Sequence, residues 1–97
     1  MDHFTSLSRH YKREFPHLKL SIRRVRCSGY GFVRETEGRL CVRIRTRIDP
    51  CLQLILLVHE LGHALTYRTD LHPSDHGPIF GQGYATAWRS YLRWMES

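Results

Sequence analysis

His59-Glu60-Leu61-Gly62-His63 is the stretch on which the reading of this chain turns. Two histidines four apart on a helix project from one face, about one turn along the axis. Both imidazoles then reach one metal ion at roughly 2.0–2.1 Å without bending the helix. Glu60 stands beside them, placed to accept a proton from water and not obliged to ligate. One helical turn thus offers two ligands and a general base. The alternative is a buried helix that carries two hydrogen-bonded histidines, and the surroundings decide between them.

Just upstream, Asp49-Pro50 opens the helix, an N-cap followed by proline at the first helical position. Leu54, Leu57, Val58, Leu61 and Leu65 cover one side of its wheel. Leu52, Ile55 and Leu56 share the side of His59 and His63. A helix apolar all round is expected to be sandwiched in the core. Two imidazoles in such a setting need partners, because an unsatisfied buried polar group is costly, and zinc would satisfy both.

Further out, residues 2–15 read as an amphipathic helix with Phe4, Leu7, Tyr11 and Phe15 in one stripe. Asp2 is its cap and Pro16 its stop, with His3 and His10 on the solvated flank. From Leu18 to Ile48 the period becomes two. Leu18, Leu20 and Ile22 alternate with polar residues, and Leu40, Val42, Ile44 and Ile48 alternate with Cys41, Arg43, Arg45 and Arg47. Gly29 to Arg34 forms a short strand between them, turning at Glu35-Thr36-Glu37-Gly38. Arg23-Arg24 breaks the alternation and suggests a bulge. The expectation is three strands, mostly antiparallel. Thr69 to His76 is a loop, and Gly77-Pro78 starts a last helix to about Met95. Phe80, Tyr84, Trp88, Tyr91 and Trp94 form a core-facing aromatic stripe on it.

At 97 residues this is one α+β domain, residues 1–97, with room for a single modest core. Hydrophobic residues at 41% and charged residues at 25% suit a soluble globular protein and exclude a disordered chain. No apolar run approaches about 18 residues, so no membrane span is expected. The start, Met1-Asp2-His3-Phe4, lacks the pattern of a signal peptide, and a cytoplasmic location follows as the expectation. Cys27, Cys41 and Cys51 are odd in number with no Cys-x-x-Cys pair. They exclude a disulfide framework or zinc ribbon and read as small buried hydrophobes.

A catalytic zinc usually has three protein ligands and an open fourth position. The only glutamate after Glu60 is Glu96 at the tail, which leaves Asp70, His72, Asp75 and His76 as candidate third ligands. His76 directly precedes Gly77-Pro78, at the mouth of the last helix, and is favoured. Asp75 is its competitor, either as a ligand or as the group that orients one.

His59-Glu60-Leu61-Gly62-His63 followed by Asp75-His76-Gly77-Pro78-Ile79-Phe80 resembles the SprT-like zinc metallopeptidases. Their pattern is His-Glu-x-x-His and then His-Gly-Pro-x-Phe/Trp opening a helix. The resemblance is close over the last two helices, and the helix and three strands before them agree in order. It implies that His59, His63 and His76 bind zinc and that Glu60 is the catalytic acid-base. It also implies a minimal zincin-like fold, with a small antiparallel sheet beside the two active-site helices. The family includes proteases linked to cleaving proteins trapped on DNA. The chain departs in having no Cys-rich zinc ribbon and no DNA-binding extension. In this it resembles the compact versions carried by phages and mobile elements.

The expected chemistry is peptide hydrolysis, with Glu60 taking the proton of a metal-acidified water and returning it to the leaving amine. Tyr67, Tyr84 or Arg68 would stabilise the oxyanion, and an exposed sheet edge would hold a protein or peptide substrate as an added strand. The rival expectation is a nucleic-acid-binding module with a structural zinc. Its support is a net charge of +6, 13 arginines among 15 basic residues, and two clusters. These are Arg23, Arg24 and Arg26 on one strand, and Arg43, Arg45 and Arg47 at period two on one sheet face, which would either meet DNA or be a solvated face that serves solubility. Glu60 discriminates the two, since a structural site has no need of it.

Overall fold

The side chain of Asp2 accepts a hydrogen bond from Thr5 N–H at 2.8 Å and starts α1, His3–Glu14. The computed structural model describes residues 1–70 and 76–97. After α1 a 3₁₀ turn, Pro16–Leu18, leads into β1 (Ser21–Val25), β2 (Gly31–Thr36) and β3 (Arg39–Arg45). The helices α2 (Pro50–Thr66) and α3 (Pro78–Glu96) follow. Asp49 caps α2 by accepting from Cys51 N–H and Leu52 N–H at 2.8 and 3.2 Å, and Pro50 fills the first turn where no N–H is needed. The three helices and single sheet make the α+β class expected from the sequence. Among the described residues, no helix is long and apolar enough to cross a membrane.

The sheet differs from the expectation in its pairing. Strand order is β1-β3-β2, with β2 antiparallel to β3 and β1 parallel to it. Only one of the two pairings is therefore antiparallel. The β2–β3 hairpin closes through Glu37-Gly38, both left-handed at φ 52° and 76°, the geometry a two-residue hairpin loop requires. The segment 26–30 then carries the chain from β1 past the place β3 will fill, a span of two strand spacings, roughly 10 Å. Alternation of side chains reports which face a residue takes, not which strand lies next to it.

Other expectations also give way. The β1–β3 register runs unbroken through Arg23↔Arg43 and Arg24↔Ile44, so Arg23-Arg24 is not a bulge. Arg24 instead lies over the Phe4 ring at 4.8 Å and pairs with Asp2 at 2.7 Å, which ties β1 to the start of α1. Cys27 and Cys41 are half-buried and Cys51 is exposed, so none is the buried hydrophobe anticipated. His10 is not solvated; its ring reaches α3. And α2 is not sandwiched on every side, because Ile55 is 50% exposed.

Leu40, Val42 and Ile44 of β3 are fully buried against α2, and Leu57, Val58 and Leu61 answer them from the helix. Leu7 and Tyr11 of α1 close the same core. The aromatic stripe of α3 packs on it as expected, with Tyr84, Trp88, Tyr91 and Trp94 partly buried. Helices α2 and α3 meet closely at Gly62 and Gly83. A Cβ on Gly83 would stand 2.5 Å from Gly62 O, and one on Gly62 would stand 2.9 Å from Tyr84 Cα. Two missing side chains let the helices touch backbone to backbone, which brings the start of α3 onto the motif turn of α2.

Candidate metal centre

His59, Glu60 and His63 occupy one turn of α2, and His76 directly precedes Gly77, the residue that caps α3. Because Gly62 and Gly83 let the helices approach, His76 is delivered onto the α2 face. Its Nε2 lies 3.1 Å from His59 Nε2 and 3.2 Å from His63 Nε2. The three rings stand around one point, with centroid separations of 4.9, 5.0 and 5.1 Å. Phe80, one turn into α3, forms the floor, its ring 4.2 Å from that of His63 and 4.9 Å from that of His76. Tyr84 stacks beneath Phe80 and touches the edge of His59.

These distances test whether a metal fits. Three imidazole nitrogens on a tetrahedral ion at 2.0–2.1 Å are roughly 3.3 Å apart, close to what is found. These nitrogens make a poor hydrogen-bond set, since His76 Nε2 faces two others and, when neutral, has only one proton or one lone pair to offer. The donor set fits a cation. His59, His63 and His76 lie close enough to bind one metal ion. Burial, and then the neighbouring His76, hold the pKa of His59 below its ordinary value, which favours the neutral, ligating form.

Glu60 is buried at the base of the same cleft, and burial pushes its carboxyl up to about 7. The cleft measures about 390 Å³ and is lined by His59, Glu60, His63, Tyr67, His76 and the strand Gly31-Phe32-Val33. That volume is ordinary for a ligand site. The strand residues carried no signal in the sequence, because β2 becomes the cleft wall only through its long-range place at the sheet edge. Gly31 is the nearest to a signal. A Cβ there would stand 2.7 Å from Arg43 O, so glycine is what lets β2 lie this close to β3, and the same spot is within contact of Glu60 Cγ at 3.4 Å.

Of the three oxyanion candidates, Tyr67 lines the cleft. Arg68 is engaged elsewhere, donating to Glu35 Oε2 at 2.6 Å and Gly38 O at 2.9 Å. Tyr84 belongs to the packed floor. Asp70 is described but is not part of the histidine cluster; His72 and Asp75 lie outside the described residues. The arginines separate. Arg43 Nη1 donates to Ser21 O at 2.7 Å and Val42 O at 3.1 Å, which binds it to its own sheet. Arg45 ends β3. Arg47 lies beyond the strand with φ 60°, so the three do not form one period-two row.

Comparison of the chain with protein-family models, with curated proteins and with solved structures finds no match.

Proposed function

We propose that the chain is a zinc-dependent metallopeptidase in which Glu60 moves the proton. The observation that carries this reading is the convergence of three imidazole Nε2 atoms beside a buried carboxyl in an open cleft. A bound zinc ion would be held by His59, His63 and His76, and would supply the Lewis acidity that activates water and polarises a carbonyl. Three histidines leave a fourth position for substrate or water, whereas structural zinc usually has four closed protein ligands.

Glu60 receives the proton of the attacking water on its carboxylate and passes it to the departing amine. In the metal-free protein burial raises this carboxyl to about 7, and a bound cation would draw it back toward the ionised form a base needs. His59 and His63 are fixed by their shared helix turn, and Phe80 keeps the rings upright from below. Tyr67 stands one turn beyond His63 on the same cleft wall, where its hydroxyl can donate to a developing oxyanion. β2 has one edge taken by β3, and its residues 31–33 border the cleft, so an extended peptide can add there as a further strand. The substrate class that fits is an unfolded or extended polypeptide segment.

The test is cleavage of an unfolded protein by zinc-loaded enzyme. Glu60→Gln should keep zinc and fold but lose about 10²–10⁴-fold in rate, the usual contribution of general acid–base catalysis. Cleavage at the wild-type rate by this variant would end the proposal.

A further inference from the structure

Away from the cleft, at the end of the sheet where β1 and β3 finish, Arg26, Arg45 and Arg47 surround one concavity of about 190 Å³. Cys27 and Thr46 complete its lining. Among the described residues, no acidic one borders it. Several arginines elsewhere are tied down: Arg24 to Asp2, Arg68 to Glu35, Arg93 to Glu14 and Arg43 to Ser21. Arg26, Arg45 and Arg47 have no such bond among the described residues. Three guanidinium groups brought together without a counter-charge repel one another, and the arrangement is relieved by an anion. Arg47 is also held at φ 60°, a left-handed conformation that disfavours a non-glycine residue.

The neighbour of this pocket narrows the ligand. Arg45 N–H donates to Tyr30 O at 2.8 Å, which carries the β2–β3 register one step further and sets Tyr30 opposite Arg45. Tyr30 is 59% exposed, the only Phe, Tyr or Trp more than half exposed among the described residues. Arginine's planar fork matches phosphate oxygens in pairs, and an exposed ring beside a cationic groove is how unpaired bases are held without sequence preference. An acidic peptide would use the charge but has no need of the ring. We propose that Arg26, Arg45 and Arg47 form a pocket for a backbone phosphate of single-stranded nucleic acid, with Tyr30 the platform for an adjacent base. The pocket stands independently of the chemistry in the cleft.

Fluorescence anisotropy with a labelled oligo-dT, its duplex and polyglutamate, at several salt concentrations, tests this. The double variant Arg26→Ala, Arg47→Ala should lower the slope of log affinity against log salt by about 0.7, the share of the one single-strand phosphate the pocket holds. Tyr30→Ala should weaken oligo-dT binding about 5- to 100-fold and leave the slope unchanged. Arg9→Ala, Arg13→Ala removes the same charge from exposed positions on α1 and should leave affinity and slope near wild type. All five positions are exposed, so folding is not at stake, and circular dichroism confirms it. Equal losses from the α1 pair would reduce the effect to net charge and overturn the site. Polyglutamate binding as tightly as oligo-dT at matched charge, or an unchanged Tyr30→Ala variant, would overturn the nucleic-acid assignment.

Discussion

Two polar clusters are built on α3, one at each end, and both contain histidine. At the C-terminal end, His10 Nε2 of α1 lies 2.9 Å from Ser90 O and 3.0 Å from Ser90 Oγ. Ser90 Oγ donates to Glu14 Oε1 at 3.0 Å, and Arg93 Nε donates to the same oxygen at 3.0 Å. Donors meet acceptors throughout, and Ser90 is fully buried. This serine, histidine and glutamate have the composition of a hydrolytic triad, but nothing can reach the hydroxyl; they clamp α1 to α3. At the N-terminal end, three nitrogens of one kind point at one another in an open cleft. The first cluster is complementary to itself. The second is complementary to a cation.

The largest expected effect separates the clusters by metal content. His63→Ala should lose one of three ligands and weaken zinc binding by at least about 10²-fold, by analogy with losses of 10–100-fold for groups that merely orient a ligand. His10→Ala should bind zinc as wild type does. Zinc retained after gel filtration, with chelator competition for affinity, makes the comparison. Full retention by a His59→Ala, His63→Ala double variant would remove the distinction between the two ends. Affinity should also fall as pH drops below about 6.5, the ordinary histidine value, because each ligand must be neutral.

The next effect belongs to the cleft alone. In chelated protein, folded Glu60 holds its proton up to about 7, against 4.5 for the ordinary group. Between those values the folded state binds more protons than the unfolded, so wild-type stability falls as pH rises through the window. Glu60→Gln has no such dependence. Its stability relative to wild type should therefore grow by about 1–3 kcal/mol from pH 4.5 to 7 and then level off, the range allowing for solvent at the cleft mouth. Thermal melts in chelator at pH 5 and 8 measure it. A difference that does not change with pH would mean the carboxyl is solvated.

The two ends of α3 were unequally legible in the sequence. Helix starts are local: Asp2, Asp49-Pro50 and Gly77-Pro78 each mark one, and the structure begins helices there. Since Gly77-Pro78 fixes where α3 begins, His76 could be set at its mouth beside the motif turn. The clamp was not legible. His10 and Ser90 are 80 positions apart, and a histidine on the flank of an amphipathic stripe gives no sign of a distant partner. Sheet order failed for the same reason, as did the part Gly31, Phe32 and Val33 play in the cleft. Arg43 looked like one of a row, and only its register opposite β1 turns it toward Ser21.

Between the two ends lies the glycine crossing, which ties the site to the fold. Gly83→Ala would push its Cβ against Gly62 O and Thr66 Cγ2, at 2.5 and 2.7 Å, and a backbone oxygen cannot swing away. The helices must part, at a cost of about 1–3 kcal/mol, and His76 moves off the other two histidines. Zinc affinity should fall with stability. Gly81→Ala, two residues earlier with nothing within 4 Å, should instead gain about 0.5–1 kcal/mol from the stiffer helix and leave zinc binding alone. Matching effects at the two positions would deny the crossing its role.

The smallest loss is expected where α1 meets the middle of α3, one turn before the clamp. Tyr11 is fully buried and its hydroxyl donates to Ala87 O at 3.0 Å, with burial pushing the phenol well above its ordinary pKa. Tyr11→Phe keeps the ring in the core and removes one hydrogen bond. Ala87 O can still accept from the helix, so the loss should be the net value of a neutral bond, about 1 kcal/mol. Because this bond lies roughly three turns along α3 from His76 and beyond the glycine crossing, zinc affinity should not change. Denaturant melts of the chelated protein and a zinc titration of the same variant read both quantities. Loss of stability alone makes the clamp an anchor for the helix whose other end carries the site. Loss of zinc affinity in the same measure would mean that α3 answers as one rigid lever, and that the two clusters are two ends of a single device.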